Sequence, residues 1–414
     1  MFCKGGLKSP LMIIKAHFSL EGMMKLSWNS FFPEISFDYF CDSILGERMI
    51  HGVSSLKRID SILPWNRLNA ILSGGMLSFP RVRLSKNGLV LPESQYCVEE
   101  IRRRERTYYI DPAKLHNQMV DGSVLVIDSI HELDDNINAI AGLFTTLFQE
   151  KVQINCYVGG ENSAGFDLHW DDHDVIILQL HGSKEWEIRG CARKYPMFKD
   201  IDSNLEAPDQ IFWEGTLSEG EVLYIPKGWW HKAYASSNLT CHLTIGVAQR
   251  TGFDYLTHIL DLCKGFESIR APVPKLSGNK FNEVDYRNHL KEILVRALDQ
   301  VGVEDFWNHQ ESMINTRYKY SFPFSLKSTT LSLNTKVALS FVHRPRLVVK
   351  ENIYFAVFEK TWNFDIVTLN LFKLLWEFPQ GVDISNLVDS VAIEEKDVIE
   401  LLEDMILNGL LVCC

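Results

Sequence analysis

The chain reads as an α+β protein in which an antiparallel β sandwich or small barrel, over about residues 151–250, is followed by helical segments. Two observations carry that reading. Short apolar strands joined by tight turns, with no helix between them, crowd the middle of the chain. Beyond 252 the apolar period becomes helical. Val152, Ile154 and Cys156 alternate with polar neighbours, as in a half-buried strand. DVIILQL (174–180) is a buried strand, His181-Gly182-Ser183 a turn, and Trp186 and Ile188 alternate in a returning strand. EVLYIP (221–226) is stopped by Pro226-Lys227-Gly228, and LTCHLTIGV (239–247) is a further strand.

On either side the pattern changes. Ile140, Leu143, Phe144, Leu147 and Phe148 predict an amphipathic helix over about 137–150. Residues 30–135 mix short apolar runs with turn signals such as Ser73-Gly74-Gly75 and Lys86-Asn87-Gly88, an irregular α/β region. After the linker-like RAPVPKLSGNK, Leu290, Ile293, Leu294, Ala297 and Leu298 form a helical stripe. Helices are expected at 366–377, 384–390 and 394–408, stopped by Asn408-Gly409, with a short strand at 410–412. Together with the β-like IYFAVFEK (353–360) these give a winged-helix arrangement.

With 414 residues, 46% hydrophobic and 23% charged, the composition is that of a soluble globular protein. No apolar run approaches the roughly 20 residues that span a bilayer, and the N-terminus lacks the pattern of a secretory signal. Nine cysteines, an odd count without CxxC spacing, argue against a disulfide framework or structural zinc and for a reducing cytoplasm. A net charge of −11 opposes general nucleic-acid binding. The run Arg102, Arg103, Arg104 and Arg106 is read as a solvated basic face. Residues 364–414 hold ten Asp/Glu against two Lys, which opposes phosphate contact there.

Chemistry concentrates in HWDDHDVIILQLHGSKEW (169–186). In an extended chain, side chains two apart share a face, so His169 and Asp171 can bind one ion while Trp170 points away. A third ligand must come from another strand, and His231 follows the Pro226-Lys227-Gly228 turn. Two histidines and one carboxylate form a facial triad with open positions. His-x-Asp alone is a weak sign, since such a pair is also a common hydrogen-bonded couple.

HWDDHDVIILQLHGSKEWEIRG together with GEVLYIPKGWWHKAYA resembles the JmjC-type, cupin-like ribosomal oxygenases. The resemblance is specific over about 150–250, weaker upstream and architectural beyond about 260. It implies a double-stranded β-helix (a cupin or JmjC jelly-roll barrel), a helical dimerisation segment and a C-terminal winged helix. The corresponding regions are 1–135, an α/β lead-in; 136–255, the catalytic core; 256–325, helical; and 326–414, winged-helix-like.

The resemblance makes His169, Asp171 and His231 iron ligands and Lys184 the partner of the distal carboxylate of 2-oxoglutarate. It sets Asn155 near the cosubstrate, with Tyr157 on the same face, and places His242 and Thr244 near cosubstrate and metal, where ordinary barrel packing competes as an explanation. His173 is expected at the rim and His181 exposed in its turn. One of Trp229 and Trp230 is expected in the core and the other beside the cleft. Asp172 and Asp174 either meet a basic substrate or hold their loop.

The implied function is a dioxygenase using Fe(II), 2-oxoglutarate and O2 to hydroxylate a protein or peptide side chain, such as arginine or histidine of a ribosomal protein. The implied enzyme is homodimeric. A related oxygenase acting on methyl-lysine or on a natural-product peptide, and a catalytically silent cupin binding module, are the competing readings. Intact His169, Asp171, His231 and Lys184 weigh against the last. The N-terminal 130 residues show few matches to the family, so the substrate is the least legible part.

Overall fold

A computed structural model describes residues 18–20, 24–74, 77–102, 105–161, 163–198, 205–275, 282–314, 319–322 and 331–414. The strands that matter for the site are β1 (Ile50–Val53), β2 (Val82–Lys86), β3 (Leu89–Val90), β4 (Val124–Ile127), β5 (Val152–Gly160), β6 (Asp174–His181), β7 (Lys184–Cys191), β8 (Ile211–Leu217), β9 (Glu221–Ile225), β10 (Trp229–Ala235) and β11 (Leu239–Val247). Eight of them form one sheet in the order β1-β9-β6-β11-β5-β4-β2-β3. A second sheet, β8-β7-β10, lies across from it. All of these pairings are antiparallel.

The alternation of side chains along each strand divides the apolar residues between two cores. Val175, Ile177, Leu223 and Ile225 of the large sheet pack with Trp186, Ile188, Leu217 and Trp229 of the small one, filling the space between the sheets. The opposite face of the large sheet, with Ile154, Ile176, Leu178, Leu243 and Ile245, joins a larger core with helix α1 (Asp135–Phe148). That helix starts where the Asp134 side chain accepts a hydrogen bond from the Ile137 N–H at 3.0 Å, and ends at Gln149 in the left-handed region. Ile137, Ile140, Leu143 and Phe144 are fully buried from it, each contributing roughly 1.5–3 kcal/mol. Trp28, Phe31 and Phe40 close the same core from the N-terminal side, and Phe40 lies edge-on to Tyr224 of β9.

The N-terminal region is more than an irregular lead-in. Four of the eight strands in the large sheet, β1 to β4, precede residue 131. They escape a periodicity reading because they are two to five residues long and all but the β2–β3 hairpin pair across a long stretch of chain, β2 with β4 and β1 with β9. β5, β6, β7, β9, β11 and α1 fall where the sequence predicts them, whereas β8 and β10 are strands that the sequence reading did not place. The basic run is only partly visible, since Arg103 and Arg104 lie outside the described residues, as do Gly75 and the 276–280 part of the linker.

Helices α2 (Gly252–Cys263), α3 (Glu283–Gln300) and α4 (Val303–Ser312) follow the sheets. The C-terminal part has its own core, built by β12 (Lys336–Leu339), the hairpin β13 (Asn352–Val357) and β14 (Lys360–Asp365), α5 (Leu369–Glu377), β15 (Val382–Asp383), α6 (Ile384–Asp389), α7 (Glu395–Leu407) and β16 (Leu411–Cys413). β12 lies between β15 and β16. Val398, Leu402, Met405 and Ile406 of α7 are buried and Leu401 is half-buried.

Two turns set the site. Gly182 joins β6 to β7 with φ +63°, and a Cβ there would lie 2.1 Å from the Leu239 carbonyl oxygen. Gly228 opens β10 with φ +80°, and its Cβ would meet Pro196 at 2.4 Å. Both positions need glycine for conformation and for space. Gly220 shares the positive φ (+85°) but has open space around it. Gly220→Ala is therefore expected to cost about 1 kcal/mol, and Gly182→Ala roughly 2 kcal/mol more. Equal denaturant midpoints for the two variants would show that the close approach to Leu239 does not constrain the turn.

Candidate metal centre

His169 and His231 are joined by an isolated antiparallel bridge. The His169 N–H donates to the His231 carbonyl at 3.0 Å, and the His231 N–H returns a bond of 2.7 Å. Asp171 is held by its own carbonyl, which accepts from the Gly228 N–H at 2.9 Å. The ligand segment is thus a bridged lead-in to β6 rather than part of it. Its side chains nevertheless converge: the Asp171 Oδ2 lies 3.5 Å from His231 Nε2 and 4.0 Å from His169 Nε2. One ligand atom from each of the three lies within 4.8 Å of the others. Adjacent ligands on an octahedral ion stand about 3 Å apart at bond lengths near 2.1 Å, so shifts of about an ångström suffice.

The tautomers suit a metal. His169 Nδ1 is 2.7 Å from the Asp167 carbonyl, and His231 Nδ1 is 3.0 Å from the Trp229 carbonyl. A carbonyl only accepts, so each Nδ1 carries the proton and each Nε2 keeps its lone pair toward Asp171. Two imidazoles and a carboxylate fit a divalent transition metal that prefers mixed nitrogen and oxygen ligands.

Deeper between the sheets lies a polar group of residues. Lys184 is 4% exposed, and among the described residues no hydrogen bond or ion pair meets its ammonium. Burial pulls its pKa down to about 8. On the facing strand His242 is buried and stacked on Tyr157, the ring centroids 4.8 Å apart and the planes nearly parallel. Burial, and then the Lys184 charge, hold the His242 pKa well below the usual imidazole value, so the ring is neutral. Burial, and after it the Asp171 and Asp128 carboxylates, push the Tyr157 hydroxyl above its ordinary range. Asn155 Oδ1 accepts from the Ser129 N–H at 3.0 Å and from Gln153 Nε2 at 3.2 Å. Thr244 is its direct partner across β5 and β11.

All eight residues singled out by the sequence therefore gather on this structure. The triad sits at the mouth, Lys184, Tyr157 and His242 lie inside, and Asn155 pairs with Thr244. Trp229 is core and Trp230 half-buried. His173 is half-buried against Gly246 and 3.2 Å from the Asp172 carboxylate. Asp174 is a buried structural carboxylate: Tyr224 donates to it at 2.6 Å, the Lys227 N–H at 3.3 Å, and Gln249 as well. His181 departs from expectation. It is half-buried, stacked on Trp65 at 4.6 Å, because a helix at Trp65–Ser73 covers the turn. The sequence reading missed the polar role open to Trp186 and Gln179, both buried and each with an unpartnered polar atom. Interior alternation with Lys184 was the available signal for Trp186.

Residues 131–255 match the JmjC domain model. The chain is 27% identical over 199 residues to the bifunctional lysine-specific demethylase and histidyl-hydroxylase NO66 of Brugia malayi, covering 46% of this chain and 26% of the relative. It is 28% identical over 206 residues to ribosomal oxygenase 2 of Rattus norvegicus, covering 45% and 42%. Residues 131–255 thus carry a JmjC domain, and the chain is similar there to ribosomal oxygenases. The match spans about a quarter of the first relative's length and less than half of the second's. Beyond the JmjC domain, the fold as a whole is similar to YcfD, a ribosomal oxygenase from Escherichia coli solved in complex with cobalt and succinic acid (TM-score 0.59, 15% identity, 92% of this chain and 98% of that one). The YcfD complex with cobalt and 2-oxoglutarate gives a TM-score of 0.58 at 14% identity, again over 92% and 98%.

The Lys184 environment makes a testable demand. Its folded pKa of about 8 lies below the ordinary 10.5, so the unfolded chain binds the extra proton between those values. Below about pH 8 the full cost of burying the charge is present, and it is relieved as pH rises toward 10.5. Lys184→Met should therefore be more stable than the parent at pH 7, by on the order of 3 kcal/mol. That advantage should shrink steadily between pH 8 and 10.5. A difference independent of pH in paired denaturation curves would contradict the buried, unpaired charge.

Proposed function

We propose that this chain is an Fe(II)- and 2-oxoglutarate-dependent oxygenase that hydroxylates an amino-acid side chain of a protein, with a ribosomal protein as the target. The observation that carries it is the pairing of a triad whose two Nε2 lone pairs converge on Asp171 with a buried lysine that lacks an anion. The likeness to ribosomal oxygenases supports the target class, and a net charge of −11 suits the basic peptides of a ribosome.

In this reading His169, Asp171 and His231 hold Fe(II), which with 2-oxoglutarate and O2 supplies the oxidising power to insert one oxygen atom into a C–H bond, releasing succinate and CO2. The chain's own residues do the rest. The carbonyls of Asp167 and Trp229 fix both imidazole planes. Lys184 Nζ receives the distal carboxylate, converting a costly buried charge into an ion pair. Asn155, Tyr157, His242 and Thr244 orient the cosubstrate along β5 and β11. Ile188, Leu223 and Trp229 keep water from the reacting end.

The same reading partitions the chain into 1–135, a lead-in that shapes the cleft; 136–255, the catalytic core; 256–325, a dimerisation segment; and 326–414, a winged-helix-like unit. Phe253, Leu256 and Leu260, exposed at helical spacing on α2, support a homodimer. The three helices and hairpin after 350 support the winged helix, and its acidic composition favours protein over nucleic acid as its contact. A cytoplasmic setting is supported by the described cysteines, all of which are free. Among the described residues no helix is long and apolar enough to cross a membrane.

Anaerobic addition of Fe(II) and 2-oxoglutarate should give a visible charge-transfer band. Admitting O2 with ribosomal-protein peptides should then yield succinate and a mass gain of about 16 Da (one oxygen atom inserted). No band and no succinate would sink the proposal. His169→Ala should abolish both, whereas Lys184→Ala should keep the metal and weaken 2-oxoglutarate binding roughly thirtyfold or more. Unchanged cosubstrate affinity in Lys184→Ala would remove Lys184 from the site. Because Lys184 loses its proton above about pH 8, affinity for the cosubstrate dianion should fall roughly tenfold per pH unit beyond that point. A flat profile to pH 9.5 in calorimetric titrations would show that the charge on Lys184 is not used.

A further inference from the structure

We propose that Trp186 is a cosubstrate-binding residue whose indole N–H donates to the distal carboxylate of the 2-oxo acid, beside Lys184. The proposal rests on the oxygenase reading above. Along β7, Lys184, Trp186 and Ile188 alternate onto the face between the sheets. Ile188 is level with the metal ligand His231, and Lys184 is level with Ala235 toward the closed end. Trp186 stands between those two levels, about 7 Å along the strand from each at about 3.3 Å per residue. A dicarboxylate reaching from the triad to Lys184 must pass it.

The chemistry at this level is unsatisfied. Trp186 is 5% exposed and its Nε1 has no hydrogen-bond partner. Its ring lies edge-on to His242 at 5.9 Å and 6.2 Å from His231, bridging the metal level and the interior. His242 Nδ1 and, opposite it across β6 and β11, Gln179 Oε1 are likewise buried without partners. Buried polar atoms are paired in nearly all folded proteins, and a group of them left open around one interior face marks where a polar ligand sits. The neighbouring filling, Val175, Ile177 and Leu223, is apolar and offers no alternative acceptor. Lys184 supplies charge but no direction, since an ammonium rotates freely. An indole N–H held by packing supplies the direction, and one carboxylate has lone pairs for both.

The test is Trp186→Phe, which keeps an aromatic ring and deletes the N–H. Binding of 2-oxoglutarate and of 2-oxopentanoate, which lacks the distal carboxylate, is measured by calorimetry on protein loaded with Mn(II), with apo thermal stability recorded in parallel. The variant should bind 2-oxoglutarate roughly tenfold more weakly, bind 2-oxopentanoate and Mn(II) as the parent does, and be no less stable without ligand. Should the phenylalanine variant fail to fold, 3-benzothienylalanine at position 186 removes the same N–H with the shape retained. Unchanged 2-oxoglutarate affinity, or equal weakening of both acids, would overturn the role of Trp186 while leaving the oxygenase reading intact. Parent protein that binds neither acid would overturn both.

Discussion

Two backbone hydrogen bonds between His169 and His231 bring together the three side chains of the candidate metal centre. They tie the lead-in of a strand in the large sheet to a strand of the small one, and so close the mouth of the barrel where the three ligand side chains meet. Neither histidine is placed by its side chain alone. Each ring is oriented by a carbonyl two residues before it, at Asp167 and at Trp229, so the backbone that forms the bridge also sets the tautomers. Gly228 contributes twice, by turning the chain into β10 and by donating to the Asp171 carbonyl.

Behind the mouth, stability and function pull in opposite directions. A well-packed barrel would be filled by residues like Ile188 and Leu223, and one end of this one is. The other end holds an ammonium without an anion and several polar atoms without partners, each of which costs free energy in the unliganded protein. Surrounding structure compensates: the core against α1 is continuous and the Asp174 carboxylate is fully engaged by Tyr224, Gln249 and the Lys227 backbone. The candidate site is organised without a ligand, the arrangement in which a polar ligand would gain affinity by supplying what the interior lacks.

Much of this was legible in the sequence, and the division is physical. β5 and β7 declare themselves by alternation, and β6, β9 and β11 as apolar runs bounded by turns. The spacing of His169 and Asp171 and the turn before His231 are local features, and so is the position of Lys184 just past Gly182. What stayed hidden depends on distant partners. β1, β2 and β4 are short and acquire meaning only through strands well removed in sequence. His181 was expected in solvent because nothing near it in sequence reveals Trp65. Asp174 looked like one more loop carboxylate until Tyr224 and Gln249 were seen to converge on it. Trp186 shows in the sequence only as an alternating strand residue, and its orphaned N–H is visible only in the fold.

The Tyr224 hydroxyl that engages Asp174 also accepts from the Gly46 N–H at 2.8 Å, and β1 lies along β9 immediately beyond it. A recognisable domain and a foldable one are consequently different objects in this protein. The segment that matches the JmjC domain, 131–255, contains the whole candidate triad yet only half of the strands of its own large sheet. Excised at those limits, it would expose two raw sheet edges, along β9 and β5, to any other chain with a free strand. The N-terminal region is best regarded as the barrel's missing staves, and the boundary of shared ancestry as a line drawn through the middle of a single cooperative structure.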